Sequence, residues 1–218
     1  KRQVQMTRQP GSAFKPFVYL TAFANKVTPF DILSNETKDF GGGWIPKNYG
    51  GTSGGSVTVM EALVKSMNIP TVHLADQVGM GKIIQTAKNV GISTLVTEGE
   101  YSDTNLATAL GGLTYGVSVW DMAKAYSVFA NGGKLVEPTV IMKVVDRNGK
   151  VLEDHSGAPE STQVVDEASA WTLTSVLEEV ISRGTGGNAY IGRPSAGKTG
   201  TTDDEHDAWF VGYTPDLS

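Results

Sequence analysis

Cysteine is absent from the 218-residue chain, which excludes disulfides, thiolate nucleophiles and cysteine-ligated zinc together. Histidine is scarce. His73, His155 and His206 lie far apart with no H-E-x-x-H spacing, so no metal site is expected and a Ser-His-Asp triad has little to draw on. A serine nucleophile in this chain is left with lysine as its base. Long apolar runs are missing as well; nothing approaches the roughly 20 apolar residues of a membrane-crossing helix. No block of like charge exists beyond Asp203-Asp204-Glu205, and the net charge of −5 argues against a nucleic-acid-binding surface. No signal peptide is visible and the chain opens Lys1-Arg2 without methionine, so an excised or processed piece is expected.

Apolar residues make up 39% of the chain, enough for one sizeable packed domain with room for a subdomain. The patterning predicts a first helix from about Ser12 to Asn25, then a loop from Lys26 to Ser56 rich in glycine and proline. So long a structureless segment is usually functional, and it is expected to line or cover a cleft. Helices follow over Val57–Lys65, Ile69–Val78, Gly81–Val90, Val119–Ala130 (capped by Ser118) and Asp166–Arg183. Between the last two, a hairpin is expected around Asn148-Gly149. Ser195–Thr201 and Asp207–Tyr213 read as an antiparallel strand pair across the polar turn Thr202–His206. Helices first and strands last, without regular alternation, point to an α+β arrangement.

Three short motifs carry the chemistry. In RQPGSAFKPF, Arg8–Phe17, Ser12 stands at the mouth of an apolar run and reads as the N-cap of its helix. Pro16 is tolerated only in the first turn, which fixes the start near Ser12. Lys15, three residues on, then shares a face with Ser12, so a weak hydroxyl has an amine beside it to take its proton. Alone, S-x-x-K is a commonplace capped helix, and it recurs here as Ser195-Ala196-Gly197-Lys198.

Gly192 to Thr199 matches the phosphate-loop pattern G-x-x-x-x-G-K-[ST], but no strand pattern precedes it and no helix follows, so the nucleotide reading is rejected. The same residues read better as a strand ending Lys198-Thr199-Gly200-Thr201. A strand glycine there marks close approach of a ligand or another backbone, and the flanking charge and hydroxyls suit a carboxylate. Ser66-Met67-Asn68 supplies a hydroxyl and an amide at a helix junction; in isolation it is a cap.

Together, S-x-x-K, S-x-N and K-T-G-T in this order are the signature set of penicillin-binding proteins and class A β-lactamases. The wording of RQPGSAFKPF, KSMNIPTVHLA, AYSVFANGG and AGKTGTT…DAWFVGYTPD resembles the transpeptidase domain of class A (bifunctional) penicillin-binding proteins over nearly the whole chain. The resemblance implies a β-lactamase/transpeptidase-like α+β fold, an antiparallel sheet flanked by helices with a helical subdomain. It implies an acyl-serine D,D-transpeptidase that cross-links peptidoglycan stem peptides and is acylated by β-lactams. Ser12 would be the nucleophile and Lys15 its base, kept neutral by burial and by Lys198. Ser66 would relay a proton to the departing amine, and Asn68 would hold the donor peptide. Lys198, Thr199 and Thr201, with Gly200 between the two threonines, would bind the terminal carboxylate. The backbone N–H groups of Ser12 and Thr201 would form the oxyanion hole. No cofactor or metal is implied. The parent protein would be membrane-anchored on the extracytoplasmic face and carry a glycosyltransferase domain.

Residues 1–218 are then expected to be one such domain, truncated at both ends, with several sheet strands missing. A serine β-lactamase is the minor alternative, because no E-x-x-x-N stands between the second and third motifs and Glu100 to Asn105 is one residue too long. A non-catalytic β-lactam-sensing module is the other alternative.

Overall fold

The computed structural model describes residues 6–202 and 207–217. The apolar run after Ser12 becomes α1 (Lys15–Ala24), in which every residue from Lys15 to Phe23 is buried. A helix apolar on all sides needs cover on all sides. It comes from α2 (Val59–Val64), α3 (Asn68–Val78), α4 (Met80–Asn89) and α6 (Glu167–Arg183), which pack against α1. Before α6 in the chain, α5 (Val119–Ala130) adds Tyr126 and Phe129 to an aromatic cluster with Phe14 and Phe17.

The strands are short and paired in antiparallel twos. β1 (Thr7–Arg8) pairs with β4 (Val117–Ser118), and β2 (Ile32–Ser34) with β3 (Ser56–Thr58). β5 (Lys134–Val136) pairs with β8 (Ser161–Gln163), and β6 (Lys143–Val145) with β7 (Val151–Asp154). β9 (Ala196–Thr201) pairs with β10 (Ala208–Tyr213), Lys198 opposite Val211 and Gly200 opposite Trp209. Among the described residues β9 and β10 pair only with each other, and α6 and α5 pack on them.

The capped helices form where the sequence places them. The Ser118 hydroxyl accepts from the Asp121 N–H at 3.0 Å, and Asp166 caps α6 through the Ser169 N–H at 2.8 Å. Three expectations change. Ser12 is not an N-cap: it lies inside a 3-10 turn, Gly11–Phe14, whose path continues directly into α1, so no side-chain cap forms. The Lys26–Ser56 segment is not all loop; β2 lies within it, β3 begins at its end, and a 3-10 turn forms at Tyr49–Gly51. The helix expected from Val57 begins at Val59, because Val57 and Thr58 extend β3 and the Thr58 hydroxyl caps α2 through the Glu61 N–H at 3.1 Å. Of the turn expected at Thr202–His206, residues 203–206 lie outside the described residues.

Candidate active site

The end of β9 is pressed against the turn that carries Ser12. Gly11 sits at φ +51°, and a Cβ there would collide with the Thr201 carbonyl. A Cβ on Gly200 would collide with the Pro10 carbonyl and with Ala13. Only glycine on both sides lets the two backbones approach this closely. The turn is held from behind as well, since the Tyr126 hydroxyl donates to the Ala13 carbonyl at 2.7 Å. Ser12 itself is half-buried at this junction.

Ser66 occupies a position that normally belongs to glycine. At the end of α2 the Met67 N–H donates to the Ala62 carbonyl at 2.8 Å and the Ser66 N–H to the Leu63 carbonyl at 3.0 Å, the bond pair of a Schellman cap. Ser66 is the left-handed residue of that cap, at φ +54°. After α4 the equivalent place is taken by Gly91. A serine in this conformation is strained by roughly 1–2 kcal/mol, so the hydroxyl is kept against local preference. The fold thereby turns Ser66 toward two lysines.

Both lysines are fully buried. The Lys15 amine donates to the Ser66 carbonyl at 2.6 Å and to Asn68 Oδ1 at 2.7 Å, and it reaches Ser66 Oγ at 3.3 Å. The Lys198 amine donates to Ser66 Oγ at 2.9 Å and to the Thr199 carbonyl at 3.0 Å. Burial, and secondarily the neighbouring Lys198 charge, push the Lys15 amine well below the ordinary lysine range. Burial alone lowers Lys198 to about 7. A neutral Lys15 has two N–H bonds and one lone pair. The carbonyl of Ser66 and the amide oxygen of Asn68 can only accept, so they take the two N–H bonds, and the lone pair is left for a hydroxyl proton.

Asn68 is committed on both ends of its amide: Oδ1 faces Lys15, and Nδ2 donates to the Lys47 carbonyl at 2.8 Å. Beyond Lys198, hydroxyls continue the polar row. Thr199 Oγ1 lies 3.0 Å from Thr185 Oγ1, on the turn after α6, while Thr201 is exposed beside Gly11. A carboxylate could meet a buried cation and several hydroxyl donors here.

Lys15, Ser66, Asn68, Lys198 and Thr199 are thus joined by direct hydrogen bonds. Ser12, Gly200 and Thr201 meet through the backbone contact of β9 with the Ser12 turn. The hydrogen bonds of Lys15 go to Ser66 and Asn68. Gly192–Thr199 is a turn leading into the buried strand β9, and the element that follows it among the described residues is the strand β10. A cavity of about 460 Å³ between α5 and Thr214–Leu217 touches none of these residues, so converging polar groups, not cavity size, mark the site.

Sequence reasoning missed Thr185 and Asn48. Asn48 lies in the Lys26–Ser56 segment, and its side-chain oxygen accepts from the Asn68 and Ile69 N–H groups at 2.8 and 2.9 Å. The length of that segment was its only signal.

Residues 1–218 match the family model described as the penicillin binding protein transpeptidase domain. The chain is 40% identical to penicillin-binding protein 1A of Aquifex aeolicus over 220 residues, covering 98% of this chain and 29% of the relative. It is 35% identical to penicillin-binding protein 1A of Neisseria meningitidis, covering 99% and 28%. It therefore spans under a third of the length of these curated relatives. Among solved structures it is similar to the penicillin-binding protein PonA1 from Mycobacterium tuberculosis, with 31% identity and a TM-score of 0.85 over 97% of this chain and 58% of that one. A second structure of PonA1 is a complex with penicillin V.

Proposed function

The chain belongs to the penicillin-binding protein transpeptidase domain family, and from that premise we propose that it is an acyl-serine D,D-transpeptidase acting on peptidoglycan stem peptides. The observation that carries the reading is the convergence of two buried, pKa-lowered lysines on one strained serine hydroxyl, beside a turn that presents a second serine.

Ser12 Oγ attacks the carbonyl between the two terminal D-alanines of a donor peptide, and its proton passes to the neutral Lys15 amine. The backbone N–H groups of Ser12 and Thr201 receive the developing oxyanion, a stabilisation of roughly 3–4 kcal/mol per donor. The C–N bond then breaks. The departing D-alanine nitrogen takes a proton through Ser66, which Lys15 resupplies with the one it received. Lys198, Thr199 and Thr201 hold the donor's terminal carboxylate, and Asn68 holds the peptide through the Nδ2–H that is not given to the Lys47 carbonyl. The amine of a second stem peptide attacks the Ser12 ester and gives its proton to Lys15; the ester C–O bond breaks, Ser12 Oγ takes that proton from Lys15, and the cross-linked peptide leaves.

A β-lactam presents the same acyl group and carboxylate, and forms the same ester. The greater length of the relatives supports a parent with a further domain, which this reading takes to be a glycosyltransferase, anchored to the membrane on the extracytoplasmic face. Within the described residues, no helix is long and apolar enough to cross a membrane.

The test supplies a donor pentapeptide ending in D-alanyl-D-alanine with an acceptor peptide amine. Release of one D-alanine per cross-linked product is expected. D-alanine release to water alone, unchanged by the acceptor, would replace transpeptidase with hydrolase.

A further inference from the structure

Asn48 is 7% exposed, and both ends of its side-chain amide are hydrogen-bonded within the chain. Its Oδ1 accepts from the Asn68 and Ile69 N–H groups at 2.8 and 2.9 Å. These are the first two residues of α3, whose N–H groups have no intrahelical partner. Its Nδ2 donates to Asn35 Oδ1 at 2.8 Å and to the Thr52 carbonyl at 2.7 Å. Asn35 is in turn fixed beside the β2–β3 ribbon: its N–H donates to the Gly55 carbonyl at 2.9 Å, its Nδ2 to Gly54 at 3.1 Å, and its own carbonyl accepts from the Gly54 N–H at 2.8 Å. A hydrogen-bonded path therefore runs from the ribbon through the Asn35 and Asn48 side chains to the Asn68 backbone N–H, and the side chain of the same Asn68 reaches the Lys15 amine.

The orientation of Asn48 is forced, because two donors face one end of its amide and two carbonyl oxygens face the other. The next carbonyl upstream, Lys47, takes Asn68 Nδ2 and so aims Asn68 Oδ1 at Lys15. Met67, the N-cap of α3, makes no side-chain cap bond, so Asn48 supplies from the loop what the helix does not supply itself.

We infer that Asn48 is a positioning residue for acyl transfer: it clamps the start of α3 to the Lys26–Ser56 segment, so that Asn68 and Ser66 stay in register with Lys15. This rests on the acyl-transfer reading above and gives the long segment a role. It holds the second motif from outside, with no contact to the substrate.

The test compares parent, Asn48→Ala and Asn48→Asp by thermal melting and by the rate of benzylpenicillin acylation, each well below its own melting midpoint. Aspartate keeps both acceptor bonds to the α3 N–H groups; alanine keeps none. Asn48→Ala should fold with a lower midpoint and acylate roughly 10- to 100-fold more slowly, the scale of a misplaced reacting group. Asn48→Asp should recover most of that rate, although its carboxylate faces the Asn35 and Thr52 oxygens. A purely structural role would lower the midpoint of Asn48→Ala and leave the folded protein's rate at the parent value, which would overturn the inference. Equal losses in the two variants would do the same. Should Asn48→Ala fail to fold, Asn48→Ser, too short for the paired bonds, takes its place with the same two outcomes. A parent that is not acylated at all would overturn the functional reading and this inference with it, whereas parent-rate acylation in a folded variant overturns this inference alone.

Discussion

Lys198 holds its amine 2.9 Å from the Ser66 hydroxyl, within a site where both the amine and its stem are shut away from water. The hydroxyl is also 3.3 Å from Lys15, so one oxygen links the cation suited to a carboxylate with the amine suited to accept a proton. Ser66 can serve both only because the α2–α3 turn holds it left-handed at φ +54°.

That conformation separates stability from activity at one position. Ser66→Gly and Ser66→Ala both delete the hydroxyl, but only glycine relieves the backbone strain. Ser66→Gly should therefore be more stable than Ser66→Ala by about 1 kcal/mol, read from denaturant midpoints, while both lose D-alanine transfer. Equal stability would show that the turn relaxes in the variants.

Burial of Lys198 sets a pH dependence with a definite sign. The unfolded chain keeps this proton up to about 10.5, and the folded chain releases it near 7. Between those values the unfolded state binds more protons, so stability rises with pH; below 7 the burial penalty is constant. Lys15 is shifted in the same direction. Melts from pH 7 to 9 should show a rise that is reduced in Lys198→Met. The second-order acylation constant of a carboxylate-bearing β-lactam should decline on the alkaline side well before the ordinary lysine value of 10.5, as Lys198 loses its charge. A decline only above that value would contradict a buried Lys198.

The contact between Gly200 and the Ser12 turn makes a third prediction. Gly200→Ala drives a methyl group into the Pro10 carbonyl and Ala13, an overpacking that costs roughly 1–3 kcal/mol. It also moves β9, and with it the Thr201 N–H, away from Ser12. Acylation should fall far more than stability does, measured as the adduct formation rate against the melting midpoint. An unchanged rate would remove the Thr201 N–H from the oxyanion hole.

Much of this was legible in the chain itself because the signals were local. Ser118 and Asp166 announce their helices through capping geometry, and the apolar run after Lys15 announces the helix that the structure buries on every side. Lys198, Thr199 and Gly200 were placed on a strand because no helix pattern follows them. What stayed hidden depends on distant partners. Ser12 looks like a cap in sequence, yet its turn is shaped by Thr201 and by the Tyr126 hydroxyl. The β5–β8 pair joins segments separated by the β6–β7 hairpin, and the turn signal between them, Asn148-Gly149, reports only the inner pair. Asn48 acts across 20 residues, and nothing beside it in the chain reports that. Ser66 was legible as a hydroxyl at a helix junction, but its left-handed backbone was not, because local preference there favours glycine.

The most direct test of the central claim is the intact mass of the protein after incubation with benzylpenicillin, with Ser12→Ala alongside. The account predicts one persistent penicilloyl adduct on the parent and none on the variant. An adduct that survives Ser12→Ala, or no adduct on the folded parent, would contradict Ser12 as the nucleophile of an acyl-transfer site.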